Sequence, residues 1–423
     1  MVLAFVLALA LIAVPPPARG AGPKGGMSEL EVGQSGGGGY VKTYEIGIFP
    51  KHVAGAPAEL QQGTGWQSLN AVRLNGYSRP AENLKVEVGY EFQALWLSGS
   101  AARQGGPTGA LASSLSTVRG ATYRVVDLST EITSTTDDRN YLLSQNLDRL
   151  AAHWKTGKAD ITIGRQAVTF GQAKVIQTTD VLLPYSFRQL NVEYRIGVDA
   201  VRAQIPISQM GELDIGVGVG DKAKSDESAA FARIKTTFKE TDLVGMAMSF
   251  SGARLLGGGI QRGIWLLGYN LDAACVWTDQ DDRYFRLSQS LDYSFKSGLT
   301  IFAEYHFNGA GTDDPSTYLA RLGNFAYRRG GVFLLGRHYI IPGMSYPITA
   351  LLNSRLQMLT NLQDGSTFIS GSLEYGLSEN IYLDAGFFCA LGGAPQQGVS
   401  GVALTSEFGS YPNQLYGALR WFF

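Results

Sequence analysis

Cysteine is nearly missing from this chain of 423 residues, which has only Cys275 and Cys389. Two thiols on separate apolar strand faces build neither a disulfide framework nor a zinc site, and there is no CxxCH to attach a haem. Charge is sparse as well, at 17% of residues, and balanced to a net −1, which gives no reason to expect nucleic acid as a partner. Past the N-terminus no uncharged apolar run reaches the roughly 18 residues that a membrane-crossing helix needs. The histidines are His52, His153, His306 and His338, and no GxSxG or paired metal-ligand motif accompanies them. The sequence therefore assigns no catalytic residue, cofactor or metal, and the chain is expected not to be an enzyme.

What is abundant is glycine, 53 residues, and aromatics, 11%, arranged in short alternating segments. Leu84 to Trp96 reads LKVEVGYEFQALW. A strand sends successive side chains to opposite faces, so Leu84, Val86, Val88, Tyr90, Phe92, Ala94 and Trp96 share one side, while Lys85, Glu87, Glu91 and Gln93 share the other. Strands of soluble sandwiches run about 5 to 6 residues, whereas a tilted strand crossing a bilayer takes roughly 9 to 11. The pattern recurs. Leu213, Ile215, Val217 and Val219 oppose Glu212 and Asp214; Ala230, Ala232, Ile234 and Phe238 oppose Arg233, Lys235 and Lys239; Leu299, Ile301, Ala303, Tyr305 and Phe307 oppose Glu304 and His306. Tight turns such as Lys296-Ser297-Gly298 and Asp364-Gly365 join them.

In a bilayer every backbone polar group must be paired, so a sheet spans only if it closes. The expected fold is thus all-β: a closed antiparallel transmembrane β-barrel of about 16 to 18 strands over residues 65–423, wide enough for an aqueous lumen. Its apolar faces meet lipid. Lys85, Glu87, Glu91, Arg233, Lys235, Glu304 and His306 face the lumen, where the two signs of charge are roughly balanced.

The ends carry resemblances. MVLAFVLALALIAVPPPARGAG, an apolar run closed by prolines and small residues, resembles a secretory signal peptide over residues 1–20. Residues 21–64 read as a Gly-rich periplasmic segment outside the barrel. The final stretch, NQLYGALRWFF, alternates Leu415, Gly417, Leu419, Trp421 and Phe423 with the intervening residues. It resembles the C-terminal strand of bacterial outer-membrane β-barrels, in which such residues are read by the insertion machinery. Leu419, Trp421 and Phe423 are the corresponding insertion signal, and the outer membrane of a Gram-negative bacterium is the implied location.

One region breaks the hairpin rhythm. From Ile161 to Ile207 the chain leaves a strand near Gln166 and re-enters one at Gly197-Val198-Asp199. The long connection between, 169–195, is of the kind that usually has a job. Its GRQ…FG…TD…PYS…E.R.GVDA.R spacing resembles a family of bacterial outer-membrane porin-like barrels. That family includes barrels that partner multihaem cytochromes, and the resemblance implies a loop that lies against or folds into the channel. Thr178 stands where the resemblance would have Pro. Carried over by position, Arg165, Lys174, Asp180, Arg188, Glu193, Arg195, Asp199 and Arg202 either form the constriction or stitch the loop to the wall as ion pairs. Parity sets Arg165 with Ile161 and Ile163, beyond the apolar band. The resemblance implies a channel for passive diffusion of small hydrophilic solutes or ions, embedded in outer-membrane lipid. The alternative is a sheath holding a multihaem c-type cytochrome. Oligomeric state is left open.

Overall fold

The computed structural model describes residues 31–57, 61, 63–99, 123–126, 130–136, 139–182, 196–279, 282–398 and 401–423. The expected leader and the loop residues Arg188, Glu193 and Arg195 lie outside the described residues.

The first strands are β1 (Ser35–Phe49), β2 (Gly65–Ala81), β3 (Leu84–Gly99), β4 (Thr130–Thr136), β5 (Arg139–Lys155), β6 (Asp160–Gln166) and β7 (Val198–Ser208). Next come β8 (Gly211–Gly218), β9 (Ala229–Phe238), β10 (Thr241–Phe250), β11 (Ala253–Ile264), β12 (Leu267–Thr278), β13 (Arg283–Ser294) and β14 (Thr300–Asn308). The last are β15 (His338–Pro347), β16 (Leu352–Asn361), β17 (Thr367–Ser378), β18 (Ile381–Leu391), β19 (Gln396–Gly398), β20 (Gly401–Ala403) and β21 (Asn413–Phe422). Neighbours in sequence pair antiparallel around the ring, with β3 joined to β5 and β18 to β21, and β1 closes it on β21. Strand β4 only pairs with Arg139 to Gln145 at one end of β5, and β19 and β20 pair with each other. The remainder is a closed 18-strand antiparallel barrel. Closure leaves no unpaired edge, which is what lets a sheet sit in lipid.

The alternation works as the sequence suggests over most of the wall. Val88, Phe92, Ile215, Val217, Ile234, Leu291, Ile301, Leu415 and Leu419 all stand out from the outer surface, Phe92 at 47% exposure. Glu91, Asp214, Glu304 and His306 are buried on the inner one. Both chain ends of the barrel lie at the end carrying the short turns, where Lys239 and Glu240, both at positive φ, make a two-residue hairpin. At the opposite end, the loop end, are the long connections.

Residues 21–64 require a correction, because Ser35–Phe49 is a wall strand, paired with β2 on one side and β21 on the other. Its pattern departs from that of the other strands. Tyr44, Ile46 and Ile48 pack inward with Leu69 and Ala418. Thr43 and Glu45 alternate to the outside, hydrogen-bonded to Asn70, Ser68 and Trp66. A mixed pattern, with Ile46 and Ile48 beside the buried Lys42 inside and Thr43 and Glu45 beside Val41 and Phe49 outside, behind a run of glycines, gives no clean lipid-facing signature to read. Counting this strand also brings the connection after β3 to the same end as the other long ones.

Candidate functional site

The connection from β6 to β7 leaves the wall at Gln166 and over residues 167–182 crosses the interior to strands β11 to β14, on the other side of the ring. What holds it there is a pair of carboxylates. Glu304, fully buried on β14, accepts three successive backbone N–H groups, from Lys174 at 3.1 Å, Val175 at 3.0 Å and Ile176 at 2.8 Å. Asp272, on β12, accepts the N–H of Thr178 at 2.7 Å and its hydroxyl at 3.0 Å. Charge-assisted bonds of this kind are roughly twice as strong as neutral ones. A proline at position 178 would lack that N–H, so the Thr178 departure is itself an anchor.

Further contacts finish the clamp. Ser288 Oγ donates to Ile176 O at 2.5 Å and lies 2.8 Å from His306 Nδ1. With its one proton committed, the hydroxyl accepts from an Nδ1–H, which fixes the imidazole tautomer. Lys174 Nζ pairs with Asp292 on β13 at 2.9 Å. Gly257 on β11 makes room, since a Cβ there would come within 2.7 Å of Thr179 Cγ2.

Two more connections fold in from the loop end. Residues 309–337 carry short helices α1 (Tyr318–Arg321) and α2 (Phe325–Arg328). Ala326 and Val332 from this stretch meet Phe170 and Val181 of the β6–β7 connection in one apolar cluster against wall residues such as Met248 and Phe250. A second cluster gathers Ile176, Leu334, Phe408 and Tyr411 over the wall residues Tyr339 and Phe368. Beneath it Glu407, fully buried, accepts from the N–H groups of Leu335 at 2.9 Å and Gly336 at 3.4 Å, from Asn361 Nδ2 at 2.9 Å and from the Tyr339 hydroxyl. Burial pushes the Glu407 carboxyl up to about 7, against the pull of its donors.

The facing arc of wall is charged. Arg420 Nη2 and Nε reach Glu374 and Asp384, each at 2.6 Å. Arg73 bridges Asp148 at 2.7 Å and Glu91 at 3.2 Å. Arg202 grips Asp214 with Nε and Nη2 at 2.8 and 2.7 Å, and Arg233 lies 3.3 Å from the same carboxylate. Lys235 lies 3.5 Å from Asp242, and His153 lies 3.5 Å from Glu87. Lys85 and Glu87 are half-buried on this arc.

Of the sequence-derived loop residues, Lys174 and the buried Asp180 lie in the segment that crosses the interior, and Arg202 lies on the charged arc. Arg165 and Asp199 are elsewhere. They form a two-bond pair of 2.7 and 2.9 Å at the loop end, where Arg165 also donates to Leu147 O and Val126 O. The candidate set lacked Asp272, Asp148, Arg73 and Glu407. Inward parity marks Asp272 and Arg73, whereas a bulge beside Asp148 breaks the pattern there and Glu407 sits in an aperiodic loop.

No family model matches the chain, and no curated protein does. Solved structures do. Pseudomonas aeruginosa OccK7 (OpdD) is similar at TM-score 0.54 and 12% identity, over 92% of this chain and 98% of that one. OpdQ of the same organism is similar at 0.52 and 10%, over 92% and 97%. The outer membrane protein opdK, also from Pseudomonas aeruginosa, gives 0.50 and 10%, over 92% and 98%. At such identities the likeness speaks for the fold.

Proposed function

We propose that the chain is a passive outer-membrane channel for small hydrophilic solutes, narrowed by the β6–β7 connection. One observation carries the reading: a closed barrel wide enough for water has a loop drawn across its interior and bonded to the far wall by Glu304 and Asp272. Material inside a wide lumen is what reduces it to solute size.

The path runs between this loop and the charged arc. Along the arc opposite charges alternate at contact distance, so a solute meets hydrogen-bonding groups whose net field is small. Half-exposed Lys235 and Glu212 offer such groups to water and solute alike. With short turns periplasmic and long connections extracellular, as such barrels are built, solutes enter past the folded-in loops. The sheath reading needs an unobstructed interior, and the apolar clusters at the loop end weigh against it.

Liposome swelling with neutral sugars of graded size tests the proposal. Influx that falls steeply with solute size supports a narrowed channel; no influx of even the smallest sugar into liposomes holding folded protein rejects it.

A further inference from the structure

Arg286 faces the interior from β13 and is 2% exposed, yet the bond its guanidinium makes is a long one, 3.4 Å from Nη1 to Thr178 O. Among the described residues its Nε–H is buried and meets no acceptor. The same is true of the Tyr284 hydroxyl, two residues earlier on the same face and 7% exposed. The contrast with the wall is clear, since Arg73, Arg165, Arg202 and Arg420 all hold carboxylates at 2.7 Å or less. Asp272 and Asp180 are the carboxylates whose charge Arg286 feels. Among the described residues no ion pair joins either of them to Arg286, and Asp272 is turned toward Thr178 and Thr179.

A buried cation that no carboxylate grips is unfavourable, and a buried donor without an acceptor adds to that. Both unsatisfied groups on β13 can donate, so a species that only accepts would satisfy them. It must also be compact. Tyr284 Oη presses on Gly330 so closely that a Cβ there would lie 2.2 Å from it, and Arg286 is covered by the carbonyl of Thr178. We propose that Arg286 and Tyr284 bind a small inorganic anion of the halide class, seated where the β6–β7 and β14–β15 connections meet β13. The anion neutralises Arg286 and ties both inward connections to the wall. The site is separate from the solute path and does not depend on what the channel conducts.

The test uses the full folded chain in detergent. Crystals soaked in bromide should show an anomalous peak within hydrogen-bonding distance of Arg286 Nε. The temperature at which the folded form is lost on semi-native gels should rise saturably, by several degrees, as chloride or bromide replaces gluconate at constant ionic strength. Arg286→Gln should abolish that rise, and Tyr284→Phe, which keeps the packing, should shift it to higher halide concentration. A water molecule in place of bromide, or an equal halide response in Arg286→Gln, overturns the proposal.

Discussion

Glu304 shows how much one side chain can decide here. A carboxylate facing the lumen is unremarkable by sequence, but three consecutive N–H groups converge on it. Glu304→Gln keeps the size and replaces a charged acceptor pair with one carbonyl and an NH2 that faces backbone donors. Loss of charge-assisted bonds worth about 1.5–3 kcal/mol each should loosen the loop and leave the barrel closed. Single-channel recordings should then show added flicker and a larger mean current, and a trace matching wild type would remove Glu304 from the clamp. Glu407 gives a prediction in pH. Its docked-state pKa, about 7, lies above the ordinary carboxylate value, so the docked state binds the proton more tightly. Its contribution is fully present below the ordinary value and is lost as pH rises through about 7. Proteolysis of the β18–β21 connection should accordingly be slower at pH 5 than at pH 8, and Glu407→Gln should flatten the difference.

At the scale of the element, lipid-facing strands were legible because lipid imposes a period of 2 that residue choice must obey. Strand β1 was not, since Tyr44, Ile46 and Ile48 point inward and Gly36 to Gly39 carry no side chain with which to signal a face. Those glycines have a use at the closure seam. Gly39 exchanges backbone hydrogen bonds with Phe423, and a Cβ on it would come within 2.0 Å of Arg73 O and 2.9 Å of the Phe423 ring. Gly39→Ala should therefore lower the fraction of heat-modifiable folded barrel, whereas Gly63→Ala, with open space around it, should not. Phe423→Ala should lower it too, because that residue ends the strand that both closes the ring and resembles an insertion signal. Equal yields of all three would detach the seam from assembly. The β6–β7 connection was legible as an irregularity with charge in it. Its anchors were not, because Glu304 and Asp272 lie on strands far away in sequence, and only the closed ring brings them opposite Lys174 to Thr178.

Taken as a molecule, the chain is an 18-strand barrel with one inner arc lined by paired charges and the other covered by its own connections. Pairing removes most of the field a lone arginine would exert, so permeability to potassium and chloride should differ little. The central claim is that the β6–β7 connection narrows the lumen. Replacing residues 173–191 with a short Gly-Ser turn and recording single-channel conductance in planar bilayers tests this most directly. If the connection narrows the lumen, the shortened barrel folds and conducts several-fold more than wild type. Conductance unchanged by the replacement would contradict it.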